Sequence, residues 1–151
     1  MILKDLDDRG WHFLIRGSSP KGQQIISHPN VTLTFYWAKL GRRVRIRGQA
    51  RQLTIEECAE DFRSRPSGSK ISALASKQSQ VLRSRDDLRG ALEAAQKAFY
   101  EDPNLVADDW KVFSVDPAAV EFWQGDTDRL HKRVLYTPSD EGGWQKQELW
   151  P

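Results

Sequence analysis

Two neighbouring runs of alternating residues constrain the fold of this chain more than any other feature. Residues 31–37 (VTLTFYW) are β-branched and aromatic, and residues 42–53 (RRVRIRGQARQL) alternate arginines with apolar residues. Successive side chains of a strand point to opposite faces, so each run predicts a strand with one apolar face. A Leu-Gly turn between them predicts that the two strands follow each other in an antiparallel sheet.

The remaining pattern places helices between two groups of strands. Thr54 and Glu57 form a capping-box pattern for a helix that ends near Arg63. Other predicted helices cover a short segment before Pro29, residues 70–82 and a stretch from residue 84, with a loop at 64–69. Other predicted strands cover residues 11–15, 110–115, 119–124, 129–136 and 144–149. This order predicts an α+β, mainly β fold, a small antiparallel barrel or sheet with peripheral helices, and it disfavours a doubly wound parallel sheet.

Composition limits the class of protein further. The 151 residues predict a single domain over 1–151, and 38% hydrophobic with 29% charged residues are typical of a soluble globular protein. No apolar run reaches the roughly 18 residues of a membrane span. The single cysteine, Cys58, fits a cytoplasmic protein, and no metal-ligand spacing occurs. A net charge of +2 is too small to indicate a nucleic-acid or membrane partner.

The segment RLHKR, residues 129–133, is the clearest candidate for a binding site. Within a strand, Arg129, His131 and Arg133 would all point to the same face. Like charges repel one another, so three cations on one face are typical of a site that holds an anion.

Other motifs have competing interpretations. Lys21 follows a Gly-Ser-Ser-Pro turn and could bind a phosphate, although its spacing alone also fits a solvated loop lysine. The arginine face at 43, 45 and 47 lacks interleaved aromatic residues, which favours solvated or paired arginines over RNA binding. Cys58 lies on the apolar stripe of its helix and is expected in the core.

Longer motifs together resemble the pyridoxamine 5′-phosphate oxidase family over almost the whole chain. They are KDLDDRGWHF, SSPKGQQI, HPNVTLTFYW, RRVRIRGQA, DFRSRPSGSKISALASKQS, VEFWQGDTDRLHKR and a closing W…LWP. The pattern EFWQG…RLHxR is specific, because it separates the oxidase subfamily from other flavin-binding split barrels. The resemblance implies an FMN-binding split β-barrel homodimer with FMN bound across the dimer interface. It also implies oxidation of pyridoxamine or pyridoxine 5′-phosphate to pyridoxal 5′-phosphate, with molecular oxygen reoxidising the flavin.

The resemblance also implies a set of site residues. The implied FMN-binding residues are Ile2, Leu3, Lys4, Leu14, Ile15, Lys21, Arg43, Gln78, Ser79, Trp123 and Arg133. The implied substrate-binding residues are Lys4, Arg65, Ser69, Arg129 and His131. Arg129 and His131 would lie over the substrate ring as the catalytic pair. Gln78 and Ser79 would come from the other subunit, and Lys4 would approach the substrate phosphate.

Four departures from the family pattern concern this site. The family's first strand, which carries an FMN-binding arginine, is missing before Met1. Asp61 replaces a tyrosine that helps to hold the substrate phosphate, and Arg43 replaces a flavin-site glutamine. Leu14 and Ile15 replace Tyr-Thr. Asp61 and Arg65 are four residues apart, so we expect an ion pair that draws Arg65 away from the phosphate.

Two alternatives to the oxidase remain open. One is a flavin oxidase of the same fold that acts on another ring, such as a dihydrophenazine precursor. Asp61 favours this alternative, whereas Arg65, Ser69, Arg129 and His131 favour the phosphorylated pyridine substrate. The other is a non-catalytic protein that binds FMN or pyridoxal phosphate. Hydride transfer to a flavin requires no strong protein base, which agrees with the lack of a carboxylate pair.

Overall fold

A computed structural model describes residues 3–151, which form one seven-stranded antiparallel sheet and four α-helices. The strands are β1 (Leu3–Asp7), β2 (Gly10–Arg16), β3 (Asn30–Trp37), β4 (Arg42–Gln52), β5 (Trp110–Gln124), β6 (Lys132–Pro138) and β7 (Trp144–Leu149). The helices are α1 (Pro20–Ser27), α2 (Ile55–Arg63), α3 (Ser67–Ala75) and α4 (Arg85–Glu101), with a 3₁₀ turn at Ala38–Leu40. None of these helices is long and apolar enough to cross a membrane.

Strand β5 organises the sheet because it pairs with three other strands. Residues 113–124 pair with β4 along one edge. On the opposite edge, residues 110–115 pair with β2 and residues 120–124 pair with β6, which in turn pairs with β7. The sheet therefore opens along that edge between β2 and β6 and does not close into a barrel. This arrangement, with the helices at the periphery, confirms the predicted split-barrel fold class.

A glycine permits the closest approach between β4 and β5. The register shifts between Arg47 and Gly48, and a Cβ atom on Gly48 would lie 2.0 Å from the carbonyl oxygen of Asp116. Only glycine fits a β-bulge of this kind without moving the neighbouring backbone.

The apolar side chains form two clusters. The larger one fills the sheet interior around Phe13, Ile46 and Val115, each of which is at most 1% exposed. The smaller one joins α2 and α3 to the start of β5, where Phe62 meets Trp110 edge to face at 5.1 Å between ring centroids. The second cluster fixes the helices that carry Asp61 and Ser69.

Several predicted boundaries were wrong. The helix predicted over 70–82 begins at Ser67 and ends at Ala75, because the backbone becomes extended at Ser76 and left-handed at Ser79, with φ 67°. The strands predicted at 110–115 and 119–124 are one continuous strand. The strand predicted at 129–136 begins only at Lys132, since Arg129 has φ 64° and lies in a turn.

The capping box at the start of α2 is confirmed and yields a stability prediction. The Thr54 hydroxyl accepts a hydrogen bond from the Glu57 amide at 3.2 Å, and the Glu57 carboxylate accepts one from the Thr54 amide at 2.9 Å. We expect Thr54→Ala to lower the free energy of unfolding by about 1 kcal/mol, because an orphaned amide loses its partner. Urea denaturation measures the difference. Thr54→Ser keeps the hydroxyl and should stay close to the parent protein, and equal losses in both variants would contradict the capping role.

Candidate active site

The predicted site residues gather mainly in two clusters near the two ends of β5. One cluster, which we call the cationic face, surrounds Trp123. The other, which we call the Trp110 pocket, surrounds Trp110.

The cationic face follows directly from strand register. Arg43 of β4 and Arg133 of β6 are both opposite Trp123 of β5, and Arg45 is opposite Glu121. Directly opposed residues of antiparallel neighbours project from the same face of the sheet. Three arginines, one glutamate and one tryptophan therefore share one surface.

Positive charge exceeds negative charge on the cationic face. The Glu121 side chain is 10% exposed, and its carboxylate lies 3.1 Å from Arg133, 3.2 Å from Arg45 and 3.7 Å from Arg43. One carboxylate cannot neutralise three guanidinium groups. Among residues 3–151, the buried Nε atoms of Arg43 and Arg45 have no hydrogen-bond partner. Buried donors without partners and surplus positive charge fit an electron-rich or anionic ligand.

Aromatic and imidazole groups border this face. The His131 ring lies 5.0 Å from the Trp123 ring, and the Arg43 guanidinium lies 5.3 Å from the Trp123 ring centroid. The Asp126 amide donates a hydrogen bond to Nδ1 of His131 at 3.1 Å. A neutral His131 therefore carries its proton on Nε2, which leaves that atom as a donor.

The common strand face predicted for the RLHKR cations is only partly correct. Arg133 lies in β6 and faces Trp123, and His131 reaches the same ring from the residue just before the strand. Arg129 lies in the exposed turn between β5 and β6, where its amide donates to the Asp126 carbonyl at 3.2 Å. The left-handed backbone at Arg129 interrupts the two-residue alternation.

The Trp110 pocket brings together residues that are distant in sequence. Lys4 of β1 forms an ion pair with Asp61 of α2 at 2.8 Å. The other Asp61 oxygen accepts a hydrogen bond from the Trp110 indole at 2.9 Å. The Arg65 guanidinium lies 4.4 Å from the Trp110 ring centroid and donates to the Ser69 carbonyl at 3.1 Å. Lys4, Arg65 and Ser69, all predicted to bind the substrate, are thus linked to Trp110, Lys4 through Asp61 and Ser69 through Arg65.

The predicted ion pair between Asp61 and Arg65 does not form. Helix α2 ends at Arg63, so Arg65 is no longer one helical turn beyond Asp61 on the same face. The carboxylate pairs with Lys4 instead. Burial lowers the pKa of the Arg65 guanidinium from its ordinary value, while the negative charge of Asp61 opposes that shift. Arg65 therefore remains available to a ligand.

Lys21 lies in the first turn of α1 and is exposed. Ser19 caps this helix, because its hydroxyl accepts a hydrogen bond from the Gly22 amide at 3.1 Å. Pro20 has no amide N–H and the Gly22 amide is already bonded, so the positive end of the helix dipole beside a lysine is what suits a phosphate here.

An acidic group lies close to this turn. Asp109 accepts hydrogen bonds from Ser18 and from Arg16. Although burial raises the pKa of Asp109, the hydrogen bonds from Arg16 and Ser18 outweigh that effect and hold it below its ordinary value. Asp109 is thus a carboxylate near neutral pH, and its charge is compensated by Arg16.

The other predicted FMN-binding residues are less closely grouped. Gln78 and Ser79 occupy an exposed turn after α3, and Leu3 is 46% exposed on the edge strand. Leu14 packs against the Phe62–Trp110 cluster, and Ile15 is 5% exposed in the sheet core, so any ligand contact from Ile15 would come from its backbone. Ile2 lies outside the described residues.

Sequence reasoning missed two residues that shape these clusters. Glu121 could have been found, because it alternates with Phe122 in a strand and would face an arginine of the neighbouring strand. Trp110 gave no such signal, since its partners come from β2, α2 and the segment after α2.

A split antiparallel sheet with a cationic face beside an aromatic ring, and a lysine at a helix start, is typical of flavin-binding split barrels. A family model described as pyridoxamine 5′-phosphate oxidase matches residues 1–124, and a second, described as the pyridoxine 5′-phosphate oxidase C-terminal dimerisation region, matches residues 110–151. The chain belongs to the pyridoxamine 5′-phosphate oxidase family. This membership confirms the predicted enzyme class, a flavin oxidoreductase, and FMN as the cofactor of the family.

Individual relatives agree with this assignment. Proteins named pyridoxine/pyridoxamine 5′-phosphate oxidase from Pseudomonas putida and Salinibacter ruber are 38% and 42% identical to this chain, over its full length and 70% and 71% of their own. The crystal structure of PhzG from Burkholderia lata in complex with tetrahydrophenazine-1-carboxylic acid matches with a TM-score of 0.84 and 26% identity over 99% of this chain and 72% of that one. An FMN-binding protein from Nostoc punctiforme, 14% identical over 99% of this chain and 78% of its own, shares the fold with a TM-score of 0.78.

Proposed function

We propose that this protein is an FMN-dependent oxidase that converts pyridoxamine or pyridoxine 5′-phosphate to pyridoxal 5′-phosphate, with oxygen as the electron acceptor. The observation that carries the proposal is the Trp110 pocket. Lys4 comes from β1, whereas Arg65 and Ser69 come from the stretch between α2 and α3, and all three are linked to Trp110 through Asp61 and Arg65. Such a convergence of donors suits an anchor for the anionic group of a ring substrate.

The chain's own residues suit FMN. The surplus positive charge of Arg43, Arg45 and Arg133 would stabilise the electron-rich flavin ring, and Lys21 at the start of α1 would bind its phosphate. When bound, FMN supplies the hydride acceptor and passes the electrons on to oxygen. His131 would present its Nε2 proton to the substrate, and Arg129 would orient the substrate ring from the neighbouring turn.

The distance between the two clusters supports a site shared by two subunits. Trp110 and Trp123 mark the two ends of β5, so about 40 Å of strand separates them at about 3.3 Å per residue. One small ligand cannot reach both ends within a single chain. Phe122 and Trp144 are 46% and 47% exposed on the same β5–β7 region that matches the family's dimerisation region. We therefore infer a homodimer in which the Trp110 pocket of one copy faces the cationic face of the other.

Complementation between two inactive variants tests the shared site. Arg65→Ala damages the Trp110 pocket and His131→Ala damages the other end, so each homodimer should lose most of its activity. A mixed dimer would contain one intact site and one site with both changes. Random mixing by co-expression or refolding should thus restore about a quarter of the parent activity, as two-fold symmetry requires. No recovery in a mixture that light scattering shows to be dimeric would contradict the shared site.

Oxygen uptake tests the reaction itself. The FMN-loaded protein should consume oxygen with pyridoxamine 5′-phosphate and form pyridoxal 5′-phosphate, detected by its absorbance. Unphosphorylated pyridoxamine is the matched control and should react more slowly, because it cannot use the Trp110 pocket. An FMN-loaded protein that takes up no oxygen with either phosphorylated vitamer would overturn the proposal and favour the non-catalytic alternative.

A second candidate reaction is oxidation of another ring by the same chemistry. The Asp61 carboxylate inside the Trp110 pocket favours it, because a fixed negative charge opposes a doubly charged phosphate. The solved PhzG complex contains tetrahydrophenazine-1-carboxylic acid, a ring that carries a carboxyl group. Oxygen uptake with a reduced phenazine carboxylate, compared with pyridoxamine 5′-phosphate, distinguishes the two substrates.

A further inference from the structure

The Trp110 pocket contains a lysine whose charge is already compensated. Lys4 Nζ lies 2.8 Å from Asp61, and the two side chains are only 27% and 17% exposed. At this distance and degree of burial an ion pair is weakly screened by solvent. Lys4 therefore brings little free positive charge to an incoming anion.

Asp61 is held in place from two sides. One carboxylate oxygen pairs with Lys4, and the other accepts the hydrogen bond of the Trp110 indole. Because both carboxylate oxygens are bonded, we expect the Asp61 side chain to keep this orientation when a ligand binds. Its negative charge thus belongs to the pocket.

Two arginines carry the remaining positive charge around the pocket. Arg65 has no ion pair in the described part of the chain, although one of its N–H groups is used by the Ser69 carbonyl. Arg16, whose guanidinium lies 6.0 Å from the Trp110 ring centroid, pairs with Asp109. The described groups of this chain therefore leave one net positive charge at the pocket.

We propose that Asp61 sets the Trp110 pocket for a singly charged anionic group on the substrate, either a carboxylate or a phosphate ester that keeps one proton, and makes it discriminate against a phosphate dianion. The inference rests on the proposed function, since it assumes that the pocket anchors a ring substrate. A phosphate ester loses its second proton near pH 6, so the phosphorylated vitamers are mostly dianions at pH 8. The pocket residues of one chain carry one net positive charge, so by themselves they compensate only half of that charge.

Asp61→Asn tests this inference with little risk to the fold. Asparagine has the same shape and still offers an oxygen to the Trp110 indole, but it carries no charge. Glu60→Gln is the matched control, because it removes the same charge from the neighbouring exposed position of α2. The probe is 4′-deoxypyridoxine 5′-phosphate, which lacks the oxidisable group, and its dissociation constant is measured by calorimetry on the FMN-loaded dimer.

The expected result depends on the charge of the probe. At pH 8 the probe should bind Asp61→Asn about tenfold more tightly than it binds the parent. At pH 5.5, where most of its phosphate keeps one proton, the gain in affinity should be threefold or less. Glu60→Gln should match the parent at both pH values. A 4′-deoxypyridoxine analogue with a carboxylate in place of the phosphate ester should gain threefold or less from Asp61→Asn at either pH. Comparison of the two probes on the parent protein identifies which monoanion it prefers.

The outcomes separate this inference from the proposed function. Equal affinity of the parent and Asp61→Asn for the phosphate probe at pH 8 would overturn the role of Asp61, and so would an equal gain in Glu60→Gln. If the parent protein nevertheless oxidises pyridoxamine 5′-phosphate, the proposed function stands without the inference. If neither protein binds either probe while FMN is bound, both are overturned.

Discussion

FMN is expected to bind at least about 100-fold more tightly than riboflavin, which lacks the phosphate. Charge-assisted hydrogen bonds are worth about 1.5–3 kcal/mol each, and every 1.4 kcal/mol is about a factor of ten in affinity. Lys21 and the positive N-terminal end of α1 would provide two such contacts. Quenching of flavin fluorescence gives both dissociation constants in one assay.

Lys21→Ala should reduce the preference for FMN over riboflavin roughly tenfold, because one charged contact is lost. Lys21 is exposed, so the melting temperature of the apoprotein should not change. Lys97→Ala, which removes an exposed lysine from α4, should leave both affinities unchanged. Equal binding of riboflavin and FMN by the parent protein would refute the phosphate site at α1.

Loss of the Arg129 side chain is expected to lower kcat/KM for pyridoxamine 5′-phosphate by tenfold or more, since about 1.4 kcal/mol of lost transition-state stabilisation has this effect. FMN affinity should change little, because Arg129 is exposed in the turn before β6, outside the strands that form the cationic face. Steady-state kinetics at matched FMN occupancy measures the loss.

Two further variants separate the guanidinium from the backbone at this position. Glycine adopts φ 64° without strain and alanine does not, so Arg129→Gly and Arg129→Ala should lose equal activity if the guanidinium is responsible. Lys132 is opposite Gln124 and is exposed, so Lys132→Ala should have little effect. A loss in Lys132→Ala as large as that in Arg129→Ala would show that the charge of the whole segment, rather than Arg129, matters.

The strands were predictable because their pattern is local. Alternation in residues 31–37 and 42–53 placed Arg43 and Arg45 on the face opposite Ile46, and the structure confirms that arrangement. Helix α2 was predictable for the same reason, since its capping box lies within four residues of sequence. Turn conformations were not, and the left-handed backbone of Arg129 has no counterpart in the residue pattern.

The partners of Asp61 show where sequence reasoning fails. Helical spacing pointed to Arg65, which is near in sequence, whereas the actual partner is Lys4, 57 positions away. Such a pair depends on how β1 and α2 pack, and packing is a property of the whole fold. The family resemblance placed Lys4, Arg65 and Ser69 at the substrate phosphate. The structure links all three to Trp110 through Asp61 and Arg65, yet their roles toward a ligand stay predictions.

The length of β5 has a consequence for how the proposed enzyme responds to dilution. On the proposed arrangement, every site needs the two opposite ends of β5 from two different chains. The concentration of active dimer therefore depends on the square of the concentration of free chains. Below the dissociation constant of the dimer, specific activity would fall with protein concentration. Abundance of the chain, and not only its stability, would then set how much catalyst exists.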